Sequence, residues 1–229
     1  LSCYGNTVCK TPNIDALAAK GTRFTRTYCQ GTYCGPSRAS FMSGYYPHAT
    51  GVLGYKSPRP QIGTRATWSQ HFKNNGYHSA RVSKIYHMGV PGGIEKGGHG
   101  ADDAASWTER YNSPGPEWKA PGKGETLEGN PDGKRPVVGG NTFVVVEAEG
   151  DDLVHSDGKT AAKACELLEN YAKRRQPFFL GVGFVRPHVP FVAPANYSPP
   201  FLPYSKMKLP PKIKGDWDDI PKPGINYKT

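Results

Sequence analysis

Long apolar runs are absent from this sequence. The longest, Phe178 to Phe184, has the length of one buried strand, far short of the ~18 residues that mark a membrane-crossing helix. Cysteine is scarce and odd in number: Cys3, Cys9, Cys29, Cys34 and Cys165. No two of them form a CxxC pair or a Cys/His zinc spacing, which excludes a zinc finger or ribbon. So few cysteines in a chain of 229 residues also exclude a disulfide-built scaffold. No internal repeat is visible, and the glycines lack the three-residue period of collagen. Acidic residues are outnumbered 19 to 29, giving a formal charge of +10. Such a surface attracts polyanions. The basic residues are scattered and match no nucleic-acid motif, so no nucleic-acid partner is expected. The first residue is Leu1, not Met. The chain is therefore read as processed or as a piece, and a missing leader leaves the compartment open.

What the chain has in excess is glycine and proline. Its 28 glycines and 22 prolines make up more than a fifth of the residues, against a usual ~12%. That predicts long irregular connections around a core which 36% hydrophobic content still supports. Thr11-Pro12 opens a helix that Gly21 stops, with Ile14, Leu17 and Ala18 on one face. Thr22 to Tyr28 is rich in β-branched and aromatic residues and predicts a strand. Helices are predicted over Pro36–Ser43 and from about Thr67 to Asn75, with a strand from Tyr77 to Lys84 directly after the second. Residues 88 to 150 lack periodicity apart from a β-like run at Thr142–Val146, and are expected to form a long loop-rich insertion over the surface. Asp157 is the expected cap of a helix with Ala161, Ala164, Cys165 and Leu168 on one face. Phe178–Phe184 follows as a strand of the kind buried on both faces. From Pro199 the tail is expected to be extended.

Alternating helices and strands argue an α/β layered fold with a mostly parallel sheet. Sites in such sheets form at the carboxyl ends of strands. Three groups of polar residues stand there: Cys34 to Arg38, Lys84 to His87, and Arg186 to His188. In the first, a thiol precedes a helix start, where the field favours an anion, and Arg38 adds a permanent charge one turn on.

The stretch Cys34-Gly35-Pro36-Ser37-Arg38, followed by Ser43-Gly44, resembles the signature of the type I sulfatases. Lys10-Thr11-Pro12-Asn13-Ile14-Asp15 looks like the family's approach to that cysteine. Ser83-Lys84-Ile85-Tyr86-His87 looks like its Gly-Lys-x-x-His segment, with Ser in place of the usual Gly. Arg186-Pro187-His188-Val189-Pro190-Phe191 looks like its late histidine segment, in the form closest to the iduronate-2-sulfatase branch. The loop from His99 through Asp102-Asp103 to Trp107 is similar to one in that branch.

The resemblance implies an alkaline-phosphatase-like α/β/α sandwich, present as an incomplete fragment: 1–229 would be part of a catalytic domain, with 88–150 inserted. It implies that Cys34 is oxidised to formylglycine by a formylglycine-generating enzyme. One hydroxyl of the hydrated aldehyde attacks sulfur, giving a covalent enzyme–sulfate ester; the other expels sulfate. Arg38 would offset the charge of the nucleophile, Lys84 contact a sulfate oxygen, and His87 take the proton of the formylglycine hydroxyl. His188 would donate a proton to the leaving alcohol or touch the sulfate. His99, Asp102, Asp103 and Trp107 are candidate substrate contacts. The family also implies a divalent cation, usually Ca²⁺, bound by formylglycine at position 34 and by ligands outside this chain. Asp151-Asp152 is read as helix-start chemistry, not as those ligands. A piece lacking them is expected to be inactive alone. The expected substrate is a sulfated sugar or glycosaminoglycan-like polysaccharide, hydrolysed in the periplasm or outside the cell in a bacterium, or in the lysosome in an animal. Two alternatives are a phosphonate or phosphate monoester hydrolase of the same superfamily, and a non-catalytic polyanion-binding homologue.

Overall fold

A computed structural model describes residues 1–90, 92–117, 120–126, 144–208 and 211–224. Its helical segments are α1 (Pro12–Lys20), α2 (Cys34–Ser43), α3 (Pro47–Thr50), α4 (Arg59–Ile62), α5 (Trp68–Asn74), α6 (Gly92–Glu95) and α7 (Ser156–Ala172). The strands are β1 (His78–Ser83), β2 (Glu109–Tyr111), β3 (Gly122–Thr126), β4 (Val144–Ala148), β5 (Phe178–Gly183) and β6 (Phe191–Pro194). One sheet, in the order β2-β1-β5, is wholly parallel. The second, β3-β4-β6, pairs β3 with β4 antiparallel and β4 with β6 parallel.

The parallel sheet carries helices on both faces. On one, Leu167 and Tyr171 of α7 pack on Ala80, Val82, Phe178 and Leu180. On the other, Phe179 stacks on Phe72 of α5 and meets Trp68 edge-on, while Met42 of α2 joins Tyr86 and Trp107. The alternation of β5 thus feeds two apolar layers, as a continuous apolar strand must. Burial is less complete than the sequence predicts, because β5 pairs only with β1 among the described residues and Phe184 is exposed beyond its end. The α5 boundaries follow their signals: the Thr67 side chain accepts from the Gln70 amide, and Gly76 takes φ +85° beyond the last turn.

Four expectations are corrected. Thr22–Tyr28 forms no strand: it is exposed throughout and has no ladder partner among the described residues, and β-propensity without a partner does not make a strand. The segment 88–150 does not simply cover the surface, since β2 lies in the parallel sheet beside β1. Asp157 is not the cap of α7, whose N-cap is His155. The tail forms short 3₁₀ turns at Pro199–Phe201, Tyr204–Lys206 and Lys222–Gly224 in place of extended chain. The run at Thr142–Val146 appears as β4; residues 142 and 143 lie outside the described residues.

Candidate active site

Cys34 opens α2, preceded by Tyr33 in extended conformation as N-cap. Gly35 is required there: a Cβ would come within 2.2 Å of the Gly54 carbonyl oxygen. The Cys34 Sγ lies 3.1 Å from Nδ1 of His87, which follows the end of β1. One helical turn along, Arg38 Nη1 donates to the carbonyls of Lys84 (3.0 Å) and Ile85 (2.6 Å). Arg38 therefore fastens α2 to the strand exit as well as supplying charge.

The strand exit is itself strained. Ser83, where the family pattern has Gly, sits at φ +58°, and its buried Oγ finds no hydrogen-bond partner. A left-handed backbone costs an ordinary residue about 1 kcal/mol. The turn delivers Lys84 to the carboxyl edge of the sheet, where its amide donates to Gly183 O. Gly183 admits no side chain, since a Cβ would stand 2.0 Å from Lys84 O.

Lys84 is 1% exposed and its Nζ has no hydrogen-bond partner. Burial first, and the Arg38 charge next, push it down to about 8. His87 is pushed down to about 4 by burial, with the charges of Lys84, His188 and Arg38 adding to the effect. Its imidazole is neutral at neutral pH and can accept a proton. His188, in the loop after β5, is lowered for the same first reason, with Lys84 and Arg186 among the charges opposing its protonation. Its Nδ1–H donates to Val189 O, leaving Nε2 as the other ring nitrogen. Asp157 holds this loop: its two carboxylate oxygens accept from the amides of Val185 (2.7 Å) and Arg186 (2.9 Å). Arg186 in turn donates to the buried Glu117, and its Nε to Val192 O (2.7 Å).

Cys34, Arg38, Lys84, His87 and His188 thus gather at one end of the parallel sheet. His99, Asp102, Asp103 and Trp107 have other partners. Asp102 Oδ2 pairs with Arg81 at 2.8 Å, their side chains 3% and 1% exposed, and Asp102 Oδ1 accepts from Trp107 Nε1. His99 Nδ1 accepts from the same Nη2 of Arg81, at 2.9 Å. Asp103 takes the guanidinium of Arg59 through both oxygens and also accepts from Ser106. These bonds tie the loop to β1 and to α4, and the covered Asp102 carboxylate and buried Asp103 and Trp107 are engaged from within. Sequence reasoning missed Tyr55, whose ring stacks on His87, and the roles of Asp157 and Glu117. Only the Ser-for-Gly exchange at 83 signalled the strained exit.

An electropositive cluster at the carboxyl ends of parallel strands, with a thiol and an imidazole in contact, is an arrangement suited to nucleophilic chemistry beside an anion. The family model described as Sulfatase matches residues 1–207. The chain is 32% identical to the iduronate 2-sulfatases of Mus musculus and Homo sapiens, over 96% of its own length and 40% of theirs. It is 33% identical to a sulfatase of Formosa agariphila, over 94% of this chain and 41% of that one. A solved structure from work on the metabolism of multiple glycosaminoglycans by Bacteroides thetaiotaomicron shares the fold, with a TM-score of 0.55 and 23% identity, covering 89% of this chain and 51% of that one. The chain belongs to the sulfatase family. It spans about 40% of the length of these curated relatives.

Proposed function

We propose that the intact protein hydrolyses sulfate esters on sulfated saccharides, using formylglycine made from Cys34 by a formylglycine-generating enzyme. The observation that carries this reading is the buried Lys84 ammonium, without a hydrogen-bond partner and in electrostatic reach of the Cys34–His87 pair. A buried cation without a partner is costly, and an anionic ester would complete it. The hydrated aldehyde would supply an attacking oxygen and a second hydroxyl to release sulfate. His87, neutral and 3.1 Å from position 34, is set to take the proton of that group. Lys84 and Arg38 offset charge gathering on the sulfate oxygens and the nucleophile. Bound anion also raises the proton affinity of His188, so that its imidazole can protonate the departing alcohol. Its named relatives include iduronate 2-sulfatases, which supports a sulfated sugar as substrate. Hydrolysis of such a sugar fits the periplasm or cell exterior in a bacterium and the lysosome in an animal. No helix among the described residues is long and apolar enough to cross a membrane.

The calcium ion implied by the family does not find its ligands here. No group of three or more His, Cys, Asp or Glu that could hold a metal ion stands together among the described residues, and the charged side chains beside Cys34, Arg38 and Lys84, are cations.

The test uses the intact protein, matured in a host that makes formylglycine, on matched sulfate and phosphate esters of one sugar. Sulfate turnover should dominate, and Cys34→Ala should lower it by about 10⁴-fold or more. Preference for the phosphate ester, or a Cys34→Ala variant of normal rate, would overturn the reading.

A further inference from the structure

Tyr55 stacks on the imidazole of His87, with ring centroids 4.0 Å apart and planes inclined by 18°. The ring is not there to fill a core, since Tyr55 is 59% exposed. Its loop is fastened to the residues that flank the nucleophile. The Tyr33 hydroxyl donates to Leu53 O, and the Tyr33 ring meets Tyr55 edge-on at 5.7 Å and 89°. On the other side of Cys34, Gly35 lets the loop close: a Cβ there would meet Gly54 O at 2.2 Å and Tyr55 Cδ1 at 3.2 Å. Tyr33, Cys34 and Gly35 thus form one surface against which the loop and His87 are both seated.

We infer that Tyr55 is a positioning residue for His87, its ring covering one face of the imidazole and holding Nδ1 on the atom borne by residue 34. The role rests on the function proposed above, in which His87 handles the proton of that atom. An imidazole on a loop turns about its χ torsions, and each turn away carries Nδ1 out of reach. A parallel ring at 4.0 Å blocks those turns. The ring does this and the phenol oxygen does not. Tyr55→Phe should therefore keep the function and Tyr55→Ala lose it.

The experiment measures sulfate-ester kinetics of the intact, matured protein and both variants, with melting temperatures as a check on folding. Tyr55→Ala should lower kcat about fivefold to tenfold with KM within about twofold, and Tyr55→Phe should stay within about twofold of the parent. An unchanged kcat in Tyr55→Ala, a loss equal in both variants, or a change confined to KM would overturn the inference. A readout independent of turnover separates it from the proposed function. The His87 ring protons, shifted upfield in NMR by the overlying ring, should move downfield in Tyr55→Ala and stay in Tyr55→Phe. With that pattern and no turnover by the parent protein, the clamp would stand and the proposed reaction would fall. Unmoved His87 resonances in Tyr55→Ala would remove the clamp even in an active enzyme.

Discussion

Lys84 carries a charge that folding alone does not use. Its amine is 1% exposed, lacks a hydrogen-bond partner and titrates near 8 instead of 10.5. Between those two values the unfolded chain binds the extra proton, so stability rises with pH from about 8 towards 10.5. At neutral pH the buried charge works against the fold. Lys84→Met should raise the melting temperature at pH 7 by a few degrees and abolish the stability gain above pH 8. The same change should lower kcat/KM for a sulfate ester by about 10²–10³. In the parent protein kcat/KM should fall above about pH 8, as the free amine loses its charge. A variant that melted lower, or kept its kcat/KM, would remove Lys84 from the anion site. Ser-Lys-x-x-His marked Lys84 as a candidate in the sequence; its isolation was not legible, because burial depends on Gly183 and Arg38 arriving from distant segments.

Secondary elements were legible where local signals and partners agreed. Thr67 and Gly76 bracket α5, and the apolar run at 178 becomes β5. Thr22–Tyr28 shows the limit: its composition suits a strand, but no described strand pairs with it. The loop before β2 shows another. Asp102, Asp103 and Trp107 resembled substrate contacts as sequence, whereas Arg81 and Arg59 claim the two carboxylates. Both arginines lie at least 20 residues away in the chain, a separation that no spacing rule bridges. Asp102→Ala should leave Arg81 buried without its counter-ion and cost about 3–5 kcal/mol, read from urea unfolding. A substrate contact would instead change KM at constant stability, and that result would free the loop for a binding role.

Across the whole molecule, the +10 charge and the cationic end of the parallel sheet suit the proposed substrate, an anionic ester on a larger polyanion. The fold class was legible because helix and strand signals alternate; the second sheet was not, because β6 joins β4 across more than 40 residues. The candidate nucleophile segment was legible because Cys34 to Arg38 is continuous in sequence and sits on one helix. Around that stretch the fold brings His87 to 3.1 Å from Cys34 and Lys84 close enough to feel its charge. The central claim is that Cys34 becomes a formylglycine. It is tested most directly by weighing the tryptic peptide from Thr27 to Arg38 of protein taken from its native source. Conversion makes that peptide about 18 Da lighter than its unmodified form, and a lighter peptide is the predicted result. A peptide of unmodified mass, from cells that mature other sulfatases, would contradict the account.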